Sequence, residues 1–453
     1  MYSNRRPTPA RIRPIFMTLL GAALAASLPL SAQEVVELPG RDQRLDADFE
    51  EVFRVGALSG ESWEMLGTVR EVGFDAQGNL YVFDGLGSGV FGGEGLRVLV
   101  FDPSGNFVRE FGSSGEGPGE FNSPAGYAVM RDGTTIVSDL GHRAYQIFDE
   151  SGNFVRMVST SDGPERVSIS TGIMADPRGG AVIAANAGIS ISSSGFSASS
   201  TPPTSRPVLR VGLEGGVIET DTVADGWLPP RGEPGEGLPA NIRVGDRSVN
   251  LGSMLGGLVM PGIFEPTLLA GVLPDGGLVY SDSSAYALKV TPPDSRDVSR
   301  IITRPFRPEP VTDRIKEEYE EEQERRREEG GAPSGGSVVM FRSSSSSGGG
   351  GGSQPASMSF ELPERSYFPE LPVLRALFTT WEGRIWVRRR GDEPQSDGLI
   401  DVLTAGGDYM GTFREDATEM PDAFGPDGLA AFIELDDFDV ERVVVRRLPA
   451  AIR

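Results

Sequence analysis

Apolar and polar residues alternate along most of the chain in short runs rich in Val, Ile, Phe and Tyr. Val72-Gly73-Phe74, Leu80-Tyr81-Val82-Phe83, Val98-Leu99-Val100-Phe101 and Phe107-Val108-Arg109-Glu110-Phe111 are examples. A period of two predicts half-buried strands. Between such runs the turn Asp-x-x-Gly-Asn appears at Asp75–Asn79, Asp102–Asn106 and Asp149–Asn153. Gly supplies a positive φ and the Asx side chains cap the turn, so each reads as a hairpin.

One hairpin glycine recurs down the chain, at Gly78, Gly133, Gly179, Gly276, Gly383 and Gly428, with intervals of 55, 46, 97, 107 and 45 residues. A propeller blade of four short strands takes roughly 40–45 residues. Two intervals fit one blade, the first fits with a short insertion, and the two long ones contain visible insertions. The expected fold is all-β: a six-bladed β-propeller of four-stranded antiparallel blades, occupying 49–453 as one domain. After Gly428 too little chain remains for a whole blade. The run Glu51-Val52-Phe53-Arg54-Val55 is expected to supply the missing outer strand and close the ring.

The insertions differ in kind. Residues 190–207 are Ser-, Thr- and Pro-rich and read as a loop; 225–262, Gly- and Pro-rich with Trp227, read as an irregular cap. Within 307–329 a helix is expected from about Thr312 to Glu329, docking through Val311, Ile315 and Tyr319, with Glu321–Arg325 and Glu322–Arg326 pairing on its solvated side. Residues 330–357, with runs of five serines and five glycines, read as a disordered linker.

Residues 1–32 read as a Sec-type signal peptide: Arg5, Arg6, Arg11 and Arg13 precede an apolar stretch from Ile15 to about Leu28, with cleavage expected after Ala32. That stretch is shorter than the roughly 20 residues a spanning helix needs. The expected location is periplasmic or extracellular, with no membrane insertion after cleavage. There is no cysteine, which removes disulfides, thiol nucleophiles and Cys-ligated zinc. The formal net charge is −23, and loss of the four leader arginines takes it to −27. So acidic a chain repels phosphate backbones, and no nucleic-acid partner is expected.

One blade carries a further signature. Phe111-Gly112, Gly115-Glu116-Gly117-Pro118-Gly119-Glu120-Phe121 and Pro124, then Ile136-Val137-Ser138-Asp139-Leu140-Gly141-His142-Arg143 and Gln146-Ile147-Phe148-Asp149, resemble the connector and the Val-x-Asp…Asn-x-Arg strand signature of NHL-repeat propellers. The family's Asn is lost here, and His142 stands beside Arg143. The resemblance implies that Asp139 and Arg143 brace neighbouring strands. The group includes amidating lyases, lactonase-like hydrolases, receptor ectodomains and adaptor proteins, and fold alone does not choose among them.

Little chemistry stands out. His142 is the single histidine, which argues against a His-rich metal enzyme and leaves a Ser-His-Asp triad one candidate base. No catalytic residue, cofactor or metal ligand is assigned. Calcium is the one ion with a candidate donor set, in the Asp turns and Asp436-Asp437-Phe438-Asp439, although neither follows an EF-hand spacing. Eight residues before the turn glycine, blades 1 and 5 carry Arg70 and Arg375 where the others carry Ala125, Thr171, Leu268 and Met420. That offset falls near the channel mouth, where two arginines suit a carboxylate or sulfate. The simpler reading pairs them with Glu71 and Glu370. The functional expectation is a monomeric binding or scaffolding module for a protein, glycan or small anionic ligand. The alternative is a lactonase-like hydrolase or lyase using a divalent cation held by oxygen ligands.

Overall fold

The computed structural model describes residue 1 and residues 33–86, 94–160, 167–169, 172–185, 189–191, 204–230, 242–244, 247–249, 261–328 and 366–453. Apart from Met1, the expected signal peptide lies outside them, as does the expected linker 330–357. The chain separates into Met1–Ala32 and Gln33–Arg453. The second unit is a six-bladed propeller.

Each blade is an antiparallel four-stranded sheet. In chain order the innermost strands are Thr68–Phe74, Pro124–Val129, Ile173–Ala175, Leu269–Val272, Leu374–Thr379 and Ala423–Phe424, which define blades 1 to 6. In each blade the turn after the innermost strand holds the recurrent glycine, at φ between +71° and +89°. In blades 1 and 2 Asp75, Asp102 and Asp149 fold their turns as expected. The Asp75 carboxylate, for instance, accepts the N–H groups of Gln77 and Asn79 at 2.9 Å each and the Asn79 side-chain amide at 2.7 Å.

A propeller has no single core. Its buried side chains form six wedges, one between each pair of neighbouring blades. The wedge between blades 6 and 1 joins Leu429, Val443 and Val445 to Val72, Phe74 and Leu80. Because each blade is stabilised by its neighbours, ring closure matters. Glu50–Val55 closes it by pairing antiparallel with Glu441–Arg447 as the outermost strand of blade 6.

The chain before that strand also belongs to the ring, so the expected boundary at residue 49 falls too late. Glu34–Glu37 adds a fifth, parallel strand to blade 4 against Arg300–Thr303, and Arg44 bridges to Thr412 on blade 5. This strap covers a buried charge cluster. Arg304, fully buried, donates to Asp401 and Asp42 at 2.8 Å each and to the Pro39 carbonyl, while Arg389 donates to Asp42 at 3.0 Å.

Strand polarity gives the ring two unlike faces. Turns after the first and third strands lie on one, the hairpin face. Turns after the second strand and the connectors between blades lie on the other, the connector face. Every long insertion therefore leaves from the connector face. The expected loop at 190–207 loses Ser205–Pro207 to a blade 3 strand, and the expected cap at 225–262 loses Asp225–Trp227 to that strand's partner, because the two pair across Ser205 and Trp227. Residues 192–203 lie outside the described set, as does most of the cap apart from a short hairpin of Ile242–Val244 with Arg247–Val249.

Helix α1, Asp313–Glu328, follows a Thr312 cap. Ile315, Tyr319 and Gln323 form its buried side, and Tyr319 meets Phe264 and Tyr367 edge-on. Arg326 pairs with Glu322 as expected, at 2.8 Å. Arg325, one turn from Glu321, pairs instead with the same Glu322, which gathers both guanidiniums. No helix among the described residues is long and apolar enough to cross a membrane.

Candidate ligand site

The innermost strands of all six blades surround an axial cavity of about 540 Å³. Its wall is mostly apolar or small, and four charged residues line it: Glu71, Arg131, Arg375 and Asp422. Five residues before the turn glycine, every blade contributes to the wall: Gly73, Ala128, Met174, Gly271, Phe378 and Ala423. Phe378 is the one aromatic side chain in this ring, and it remains 38% exposed.

The position eight residues before the glycine has a structural identity. In blades 1, 2 and 5 it is a β-bulge, at Arg70, Ala125 and Arg375, where the register slips against the second strand. A bulge re-aims the side chains beyond it. Arg375 lines the channel, with its Nε donating to Asp397 at 2.8 Å; the other Asp397 oxygen accepts Arg388 Nη1 at 2.8 Å. Arg70 lies beside Gly85 of its own blade, where a Cβ would stand 3.8 Å from its Nε. No contact among the described residues joins the two arginines. The acid at Arg375 is Asp397 rather than Glu370, whose carboxylate accepts the Ser284 hydroxyl.

One residue past the bulge, blade 1 carries Glu71, where the other blades have Gly126, Gly172, Leu269, Ala376 and Pro421. Burial pushes its carboxyl up to about 8, so it is largely neutral at pH 7. Asp422 sits on the adjacent blade 6. Burial raises it above its ordinary range, opposed by the Ile433 N–H, which donates to it at 2.7 Å. Toward the hairpin face, the Arg131 guanidinium lies 4.9 Å over the Trp381 ring.

Asp139 and Arg143 stand on the connector face, away from this cavity. The buried Asp139 carboxylate accepts the N–H groups of Asn122 at 2.9 Å, Ser123 and Gly141 at 3.0 Å each, and His142 at 3.2 Å. It thus holds the incoming connector against its own strand end. Arg143 sits at φ 56°, and its carbonyl accepts the Thr160 N–H at 3.1 Å and hydroxyl at 3.0 Å. His142 is half of a pair with Asp139, Nδ1 to Oδ2 at 3.0 Å, and its buried Nε2 has no hydrogen-bond partner. No serine hydroxyl among the described residues is bonded to it.

The same device recurs unforeseen. Asp84 accepts the Gly67 N–H and pairs with Arg97; Asp282 accepts the Trp227 N–H and pairs with Lys289. All three aspartates stand six residues after their turn glycine, a spacing that could have revealed them in the sequence. The calcium candidates are occupied by their own turns as well. Asp436 accepts the N–H groups of Phe438 at 2.8 Å and Val440 at 3.0 Å and pairs with Arg442, and Asp439 takes the positive-φ position. Among the described residues, no three acidic or histidine side chains are placed to share a cation.

A sequence family described as a six-bladed beta-propeller matches residues 76–140, from the first turn of blade 1 to the second strand of blade 2. No curated protein matches the sequence. Among solved structures, a Bacteroides vulgatus protein is 10% identical over 90% of this chain and 99% of its own, with a TM-score of 0.47. A Bacteroides fragilis protein described as exported is 9% identical over 92% and 99%, with a TM-score of 0.41. Hydrazine synthase from Kuenenia stuttgartiensis is 11% identical over 77% of this chain, with a TM-score of 0.31, and the chain spans 66% of its length.

Proposed function

We propose that this protein is an exported binding module whose ligand is a small molecule held in the axial channel and admitted from the connector face. The observation that carries this reading is the cavity itself: about 540 Å³, walled by all six blades, largely apolar, with a few polar groups on it. The connector face, by which we take the ligand to enter, also carries every long insertion, and loops on a rigid ring are suited to recognition. Export rests on the basic, then apolar leader, and on the separation of Gln33–Arg453 as its own unit at the expected cleavage position.

Nile red, an uncharged dye whose emission shifts on leaving water, tests the cavity directly. It should bind at one site per chain. Ala376→Trp or Ala270→Trp, each placing an indole in the wall, should abolish that binding while leaving the far-ultraviolet circular dichroism unchanged. Dye binding that survives both substitutions would overturn the reading. The cation-dependent hydrolase makes a different prediction, a saturable rise in melting temperature on adding calcium to chelated protein. The binding module predicts none.

A further inference from the structure

The channel is not chemically symmetric around its axis, and its asymmetry points to a class of ligand. Blades 5, 6 and 1 are consecutive in the closed ring, and they supply Phe378, Asp422 and Glu71, together with Arg375, to one side of the wall. We infer that this side binds an organic cation with an apolar body, its ammonium group between the Glu71 and Asp422 carboxyls and its body against Phe378. The inference rests on the channel being the ligand site.

Both arginines of the wall keep their charge, but each faces another partner. The Nε of Arg375 is engaged by Asp397 at 2.8 Å, and Arg131 lies over Trp381 toward the hairpin face. Glu71, in contrast, makes no side-chain hydrogen bond to any described residue. Tyr127 from blade 2 feels the charges of Glu71 and of its strand neighbour Arg70, while Asp422 from blade 6 and Arg375 from blade 5 line the same cavity. Tyr127 is pushed up to about 12, chiefly by burial, so it stays neutral. An aromatic ring left open to the cavity is a favourable surface for a cation. The net charge of −23 draws cations to the protein and repels anions.

Proton bookkeeping gives the inference its signature. With the channel empty, Glu71 holds its proton at pH 7. An arriving ammonium favours the carboxylate, so the proton passes to the buffer while the ammonium keeps its own. One carboxylic acid and one ammonium become an ion pair and one released proton.

Phenylbutylamine, phenylbutanol and phenylbutyrate share a body and differ in head group. Calorimetric titration at pH 7, in buffers of different ionisation enthalpy, should show the amine binding about tenfold or more tighter than the alcohol, with close to one proton released. The carboxylate should bind weakest. Glu71→Gln should abolish the proton release and the preference for the amine, yet keep the affinity for the alcohol and for Nile red. Equal affinity for amine and alcohol would overturn the inference, and so would tighter binding of phenylbutyrate, which would assign the site to an anion at Arg375. In either case continued Nile red binding would leave the channel reading standing. Loss of the dye as well as all three probes would bring down both.

Discussion

The two faces of the ring solve the same problem by different means. On the hairpin face the chain turns back within a few residues, and backbone chemistry does the work: a glycine at positive φ and an aspartate capping its own turn. Neighbouring blades are latched there by arginines reaching forward, Arg109 to the Glu150 carbonyl and Arg156 to the Gly215 carbonyl. On the connector face, each blade must receive a strand from its neighbour across a segment of any length. In blades 1, 2 and 4 a buried carboxylate at the end of the second strand, Asp84, Asp139 or Asp282, grips the incoming backbone. The grip fixes the connector at one point and leaves the rest of its length free to vary. At Asp282 the gripped residue is Trp227, from which the long insertion before blade 4 departs.

The largest effect that would test this division comes from the grip. Asp139→Asn replaces one acceptor oxygen with a donor that must face N–H groups, inside a site where the carboxylate is fully buried. Breaking a buried, multiply bonded charge costs roughly 3–5 kcal/mol, so the urea midpoint should fall markedly. A loss below about 1 kcal/mol would mean that the connector is held by something other than the carboxylate.

Next in size is a change at the channel, where the sign depends on pH. Glu71 titrates near 8 in the folded protein and near 4.5 when unfolded. Between those values the folded state holds the extra proton, so stability falls as pH rises through that window. Glu71→Gln removes the penalty. It should raise the melting temperature by several degrees at pH 9, reflecting on the order of 2–4 kcal/mol at about 1.4 kcal/mol per pH unit, reduced by water in the channel. At pH 4.5 it should change little. An equal shift at both pH values would show that the carboxyl is not desolvated.

The legibility of the fold in the sequence divides along the same line. The hairpin face was readable because its chemistry is local: positive φ selects glycine, and Asp-x-x-Gly-Asn carries its own cap within five residues. The count of blades came out of that local chemistry, and the closing strand at Glu51–Val55 out of the short length of chain left after Gly428. The strap was not readable. Glu34–Glu37 is four residues long and pairs in parallel with a strand more than 260 residues away, which leaves no periodic signature in either segment. Glu71 was missed by one position. Counting eight residues back from the turn glycine stops at Arg70, where the bulge interrupts the register, whereas the residue lining the channel is the next one. In α1, spacing by four predicted Glu321–Arg325, but Arg325 is also three residues from Glu322, and two arginines converge on one carboxylate. Side-chain choices among near-equal partners are set by packing, which spacing does not encode.

The smallest predicted effects separate two causes on the hairpin face itself. Gly133 and Gly179 share a φ of +87° and the same place in their blades. A Cβ at Gly179 would meet nothing within 4 Å, whereas at Gly133 it would stand 2.9 Å from the Tyr81 hydroxyl and 3.2 Å from Glu150 Cβ. Gly179→Ala therefore reports the backbone cost of a left-handed residue alone, about 1 kcal/mol. Gly133→Ala adds the displacement of Tyr81, which bonds to the Gly133 carbonyl and to Asp75 from within the wedge between blades 1 and 2. It should cost roughly 2 kcal/mol or more. Urea unfolding of the two variants side by side measures the difference. Equal losses would mean that Tyr81 can move aside freely, and that the turn is independent of the blade beside it.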